Sequence, residues 1–170
     1  LNKLCSMAED RGITVDFIDI RELNLRAKGN HQGVAVCCEV KETLSERDLL
    51  SLVKHQCADS LLLILDGIND PHNFGACLRS ALAAGAHAVD IPKARSVGVT
   101  PVVRKVACGA AEIVPIAIVP NLNRVIKRLK EEGIWIVGAS SNSKARLYDV
   151  DLKGPVAVSY THLTLPTICS

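Results

Sequence analysis

Five consecutive apolar residues at positions 61–65 (LLLIL) run into Asp66-Gly67 and Asn69-Asp70-Pro71. A run this short, closed by turn and cap residues, predicts a strand buried on both faces of a parallel sheet. From Phe74 the spacing changes. Phe74, Cys77, Leu78, Ala81 and Leu82 recur at i, i+3 and i+4, the stripe of a helix laid on a sheet. The alternation then repeats. A strand is predicted near 88–91, followed by a helix opened by Pro101 that buries Val102, Val103, Val106 and Ala107. A strand over 113–119 carries Pro115 near its start. Asn121 caps a helix that turns Leu122, Val125, Ile126 and Leu129 inward, and Gly133 ends it. Strands at 134–139 and from 154 close the series. Strands and helices at this spacing predict an α/β protein with a doubly wound, mostly parallel sheet.

The first 60 residues have a different texture. Leu1, Leu4, Cys5 and Ala8 predict a short amphipathic helix that Gly12 ends. Strands are predicted over 14–20 and 34–40, with a helical turn at 21–27 and a polar loop at 28–33 between them. Residues 41–60 read as a linker with one short helix, begun by a Ser45/Asp48 capping box and carrying Leu49, Leu50, Leu52 and Val53. The expected organisation is therefore 1–40, a small α/β unit; 41–60, the linker; 61–158, the main domain; and 159–170, a tail. The tail has no helical period, and Pro166 interrupts any strand in it.

Composition narrows the classes. Aromatic residues are 3% against 48% hydrophobic, so the core is aliphatic, as α/β sheets are. A net charge of +2 is too small to name a nucleic-acid partner by itself. Seven cysteines include no C-x-x-C pair, and the five histidines lack ligand spacing, so no metal is expected and the thiols read as reduced core residues. No apolar stretch approaches ~20 residues, which predicts a cytoplasmic protein without a membrane span.

Candidate chemistry sits at the first strand–helix junction. Asn73 stands at the helix entrance, Gly75 lies one turn in, and Arg79 follows Gly75 by four, on the same face. One reading is an N-cap asparagine, a tightly packed glycine and a solvated arginine. The other sets an amide and a guanidinium beside a helix N-terminus, suited to a phosphate or a ribose hydroxyl.

The run DGINDPHNFGACLRSA resembles the first motif, N-x-G-x-x-x-R, of the SpoU/TrmH (SPOUT class) RNA 2′-O-ribose methyltransferases. The likeness continues through AAGAHAVDIPKARS, RKVACGAAE and IWIVGAS and covers about residues 12–158. It implies S-adenosylmethionine-dependent methylation of a ribose, that of a guanosine in 23S rRNA, with no metal and a homodimeric enzyme. Asn73 and Arg79 would be catalytic and Gly75 would leave room for RNA. Lys28, Asn30, His31 and Arg95 would contact RNA, the first three from the end of a small α/β RNA-binding domain. Ala94 departs from the acidic residue frequent there. The resemblance also expects G-x-E-x-x-G and S-L-N-V-S-x-A after Val158, in a knot that holds the cofactor. Residues 159–170 carry neither, so they read as a non-native tail resembling translated adaptor sequence, on an inactive fragment whose cofactor-binding residues stay unassigned. The competing expectation is a non-catalytic RNA-binding α/β module.

Overall fold

The structure, a computed structural model, describes residues 2–27, 31–37, 39–56, 59–139, 143 and 146–161. It divides into two compact units, Leu1–Val40 and Lys41–Ser170.

In the first unit, α1 (Asn2–Glu9) ends before Gly12, which takes φ +64°. Helix α2 (Ile20–Arg26) is capped by Asp19, whose carboxylate accepts the Arg21 N–H at 2.7 Å. The strands predicted over 14–20 and 34–40 do not form among the described residues. Ile13, Val15, Phe17, Val34 and Val36 have strand-like side chains, yet all are exposed and no ladder partner lies beside them. Alternation is a statement about a sheet, and without a neighbouring strand it has nothing to pair with.

The second unit is built on five parallel strands: β1 (Leu61–Asp66), β2 (Ala88–Pro92), β3 (Ile116–Val119), β4 (Trp135–Ala139) and β5 (Val156–Thr161). Their spatial order is β3-β2-β1-β5-β4. Helices α4 (Pro71–Ala83), α5 (Pro101–Ala107) and α6 (Ala110–Ile113) share one core with the sheet. Helices α3 (Glu46–His55) and α7 (Leu122–Glu131) share the other. β1 shows why its sequence is an unbroken apolar run. Leu62 and Ile64 pack toward α3 and α7, whereas Leu63 and Leu65 pack toward α4 and α5. The doubly wound parallel sheet is thus as the periodicity foretells.

Three local features differ from the sequence reading. Ile113 closes α6 instead of opening a strand, and β3 starts only after Pro115, which has no N–H for a ladder. β5 runs three residues past Val158: Ser159, Tyr160 and Thr161 pair with Ile64, Leu65 and Asp66. Residues 41–60 are no spacer. The Leu44 N–H donates to the Ile116 carbonyl at 2.8 Å, and the Ile118 N–H donates to the Leu44 carbonyl at 3.0 Å, lengthening the sheet past β3. Leu49 and Val53 of α3 are wholly buried.

The capping box at α3 is present as read: the Asp48 N–H donates to Ser45 Oγ, and the Ser45 N–H to the Asp48 carboxylate at 3.0 Å. Ser45→Ala is expected to lower stability by about 1 kcal/mol in urea unfolding.

Candidate functional site

The winding fixes where a ligand can enter. From β1 the chain moves outward to β2 and β3, then α7 carries it across to β4, and β5 returns beside β1. The direction therefore reverses between β1 and β5. In such sheets the crevice outside the carboxyl ends of the two strands at the reversal is the ligand site. Here that edge comprises the ends of β1 and β5, the loop after β1 and the first turn of α4.

Asp70, not Asn73, caps α4. Its carboxylate accepts the N–H groups of His72 at 3.2 Å and Asn73 at 3.0 Å, with Pro71 in the first helical position. The cap role open to Asn73 on sequence is thus taken, and Asn73 is half-buried in the first turn, at the mouth of the crevice. Gly67, at φ +76° with nothing within 4 Å of where a Cβ would stand, leaves the backbone open beside it.

Arg79 lies further along the helix, about 9 Å in rise from Asn73. It is exposed, and among the described residues it makes no hydrogen bond or ion pair. Gly75 is buried as the packing reading expects, not with the room for RNA that the resemblance implies. A Cβ there would stand 2.6 Å from Val106 Cβ and 3.0 Å from the Ala107 nitrogen, so α5 fills the space that RNA was expected to use. The missing side chain lets α4 and α5 touch.

The loop after β2 is pinned to its neighbours. The Lys93 N–H donates to the Val119 carbonyl at 2.8 Å, Ser96 Oγ donates to the Pro92 carbonyl at 2.6 Å, and the Val97 N–H donates to the Ile68 carbonyl at 2.9 Å. Arg95 is exposed within it at φ +64°, a left-handed conformation uncommon for a residue with a side chain. The structure thus sets Arg95 on the same sheet edge as Asn73. His31, in the first unit, accepts the Gly33 N–H on Nδ1 and pairs through Nε2 with Asn24 at 2.8 Å. Lys28 and Asn30 lie outside the described residues.

Two carboxylates escaped the sequence reading. Asp90, central in β2, is 1% exposed, and neither oxygen has a hydrogen-bond partner among the described residues. Its β-ladder neighbours Ile64 and Ala117 belong to the core under α3 and α7, so it faces that layer. Burial, with a smaller contribution from the nearby Glu46 charge, pushes its carboxyl up to about 7. Glu46, first residue of α3, accepts Arg124 Nε at 3.1 Å and Arg128 Nη1 at 3.2 Å on Oε1, and Arg124 Nη2 on Oε2. The hydrogen bond from Arg124 chiefly holds the Glu46 carboxyl below its usual range. A change from apolar to acidic within AVDIP was the available signal for Asp90; Glu46 had none, because its partners come from another helix.

Glu112 pairs with Arg104 across α5 and α6, a structural contact. Lys41 donates to the Glu112 and Ile113 carbonyls at 3.3 and 2.9 Å, tying the entry segment to the end of α6. No group of three or more potential metal-ligating side chains occurs among the described residues, and no helix there is long and apolar enough to cross a membrane.

An all-parallel, doubly wound sheet with helices on both faces defines the class as a doubly wound α/β domain. The chain belongs to the SpoU rRNA Methylase family, whose sequence profile matches residues 60–159. It is similar to the 23S rRNA (guanosine-2′-O-)-methyltransferase RlmB of Coxiella burnetii, with 50% identity over 158 residues, 93% of this chain and 63% of that protein. The protein of the same name from Pseudomonas syringae pv. tomato is 43% identical over 155 residues, 91% of this chain and 62% of that protein. The chain thus spans somewhat under two thirds of the length of these relatives. Among crystal structures, an RNA 2′-O ribose methyltransferase superposes with a TM-score of 0.53 at 29% identity, covering 61% of this chain and 39% of that one. An AdoMet-bound rRNA methyltransferase from Sinorhizobium meliloti gives 0.62 at 22% identity, over 74% of this chain and 47% of that one, a likeness of fold.

Proposed function

We propose that the parent protein transfers a methyl group from S-adenosylmethionine to the ribose 2′-hydroxyl of a guanosine in 23S rRNA. The observation that carries this reading is the 50% identity, over 93% of the chain, with a relative named for that reaction. The crevice at the ends of β1 and β5, open at Gly67, suits a cofactor approached by backbone, while the side chains that hold it stay unassigned. When bound, the cofactor supplies an electrophilic methyl on a sulfonium.

The remaining work falls to the chain. A ribose hydroxyl is a weak nucleophile, so it must be oriented in line and helped to lose its proton as the new O–C bond forms and the C–S bond breaks. Arg79, charged at any working pH, is a poor base; it positions the hydroxyl and its neighbouring phosphate and offsets developing charge. Asn73 orients the ribose or the arginine from the helix entrance. Arg95 extends the contact along the RNA, and Lys28, Asn30 and His31 are RNA contacts of the first unit.

Neither cofactor motif expected after Val158 occurs in residues 159–170, so we take the 170-residue polypeptide alone to be inactive. The assay therefore uses it extended to the full length of its relatives. There Arg79→Ala is expected to lower methyl transfer to a 23S rRNA fragment at least about a hundredfold, with about 1 kcal/mol or less lost in stability, as for an exposed position. An undiminished rate would sink the assignment. Binding of RNA without binding of S-adenosylmethionine would favour the non-catalytic module instead.

The parent is also proposed to work in the cytoplasm as a homodimer. An edge strand, β4, whose Trp135 is 66% exposed, gives an apolar surface for such a contact.

A further inference from the structure

The chain carries a net charge of +2, yet α7 alone, with Arg124, Lys127, Arg128 and Lys130 against Glu131, carries +3. Positions 124, 127 and 128 follow helical spacing, so they share one stripe. That stripe is not simply a solvated face. Glu46, whose side chain is only 11% exposed, grips both arginines from beneath, while their own side chains are 57% and 53% exposed. A guanidinium has five N–H donors; Glu46 takes two from Arg124 and one from Arg128, which leaves most of them turned to solvent. Lys127 beside them is exposed and has no hydrogen bond or ion pair among the described residues. Two arginines held by a sheltered carboxylate lose little rotamer freedom when an outside anion binds.

Their place in the fold names the anion. α7 begins where β3 ends, on the carboxyl edge that also holds the Asn73 entrance after β1 and the Arg95 loop after β2. With strands about 4.8 Å apart, β3 lies about 10 Å from β1. Because α7 packs on the sheet face opposite α4, an RNA strand leaving the crevice would cross the carboxyl edge at the Arg95 loop to reach α7.

We propose that Arg124, Lys127 and Arg128 form a second contact for RNA backbone phosphates, outside the methyl-transfer crevice, with Glu46 as the residue that positions the two arginines. This rests on the RNA-modifying function above. The contact carries no base information, since charge and guanidinium geometry read phosphate alone.

The test is fluorescence anisotropy of a labelled single-stranded 23S rRNA fragment titrated, over a range of salt, with the chain extended to the full length of its relatives as above. Lys127→Ala/Arg128→Ala is expected to lower affinity roughly tenfold near 0.15 M salt and to flatten the log–log salt slope by about 1.4, two contacts at ~0.7 each. Glu46→Gln keeps all three cations but loosens the hold on the two guanidinium groups, and is expected to weaken binding several-fold with the salt slope unchanged. A lower affinity at constant slope separates positioning from the loss of a phosphate contact, which flattens the slope. An unchanged slope in the double variant, or unchanged or tighter binding by Glu46→Gln, would overturn the proposal. Failure of the unsubstituted chain to bind RNA at all would instead overturn the function on which it rests.

Discussion

Asp90→Asn is expected to stabilise the protein by about 4 kcal/mol at pH 8 and by less than about 1 kcal/mol at pH 4. The Asp90 carboxyl is buried in β2 with no partner for either oxygen among the described residues, and burial, with the nearby Glu46 charge, raises it from 3.8 to about 7. Below about 3.8 the folded and unfolded chains both hold the proton, and the group is neutral in each. Between there and about 7 only the folded chain holds it, so stability falls as pH rises. Above about 7 both have lost it, and the cost levels off at roughly three pH units of 1.36 kcal/mol. Asparagine keeps the shape, still lacks partners and cannot ionise, so the difference between the two proteins isolates the carboxylate. Asp90→Val is expected to gain more, because a β-branched side chain suits a strand covered on both faces and leaves no polar atom unpaired. Urea unfolding of wild type and Asp90→Asn at four pH values between 4 and 8 decides it. A difference that stays constant over that range would mean that Asp90 finds a partner or water in solution.

Asp90 also marks where the sequence stops being readable. The alternation of strands and helices from position 61 onward depends on short-range spacing, and the sheet follows it closely. The stops depend on local chemistry too, and Asn121, Pro101 and the Ser45/Asp48 pair act where they were expected. What failed depended on partners distant in sequence. Residues 14–20 and 34–40 have the right alternation for strands, but a ladder needs a neighbour. Residues 41–60 looked like a linker because nothing local reveals that Leu44 pairs with Ala117 or that Glu46 meets Arg124. The candidate site shows the same division. Asn73 at the helix entrance was legible from turn and cap residues, whereas the cap itself, Asp70, stood one short step upstream of where the motif drew attention. Arg95 could be placed on the correct edge because all parallel strands end there, but its left-handed backbone has no signature in PKARS.

Gly75 carries the sharpest disagreement between motif and structure, and Gly75→Ala is expected to cost about 3 kcal/mol of stability. The new Cβ would stand 2.6 Å from Val106 Cβ, 2.7 Å from its Cγ1 and 3.0 Å from the Ala107 nitrogen. Two of these belong to groups fixed by the α5 backbone, so a rotamer change cannot relieve them. The helices must separate instead, opening the layer where Phe74, Leu78, Val103 and Ala107 are buried. Overpacking of this kind typically costs 1–3 kcal/mol, and the lack of any side-chain escape puts this case at the upper end. In the isolated helix alanine is better than glycine by up to about 1 kcal/mol, so the measured loss is what remains after that gain. Val106→Gly removes the two nearest atoms, and in a double-mutant cycle with Gly75→Ala it is expected to show coupling of more than 1 kcal/mol. Urea unfolding of the four proteins in the cycle gives the answer. Were Gly75→Ala instead to unfold like wild type while losing RNA affinity, the glycine would be serving the RNA, and the α4–α5 contact would not be why it is there.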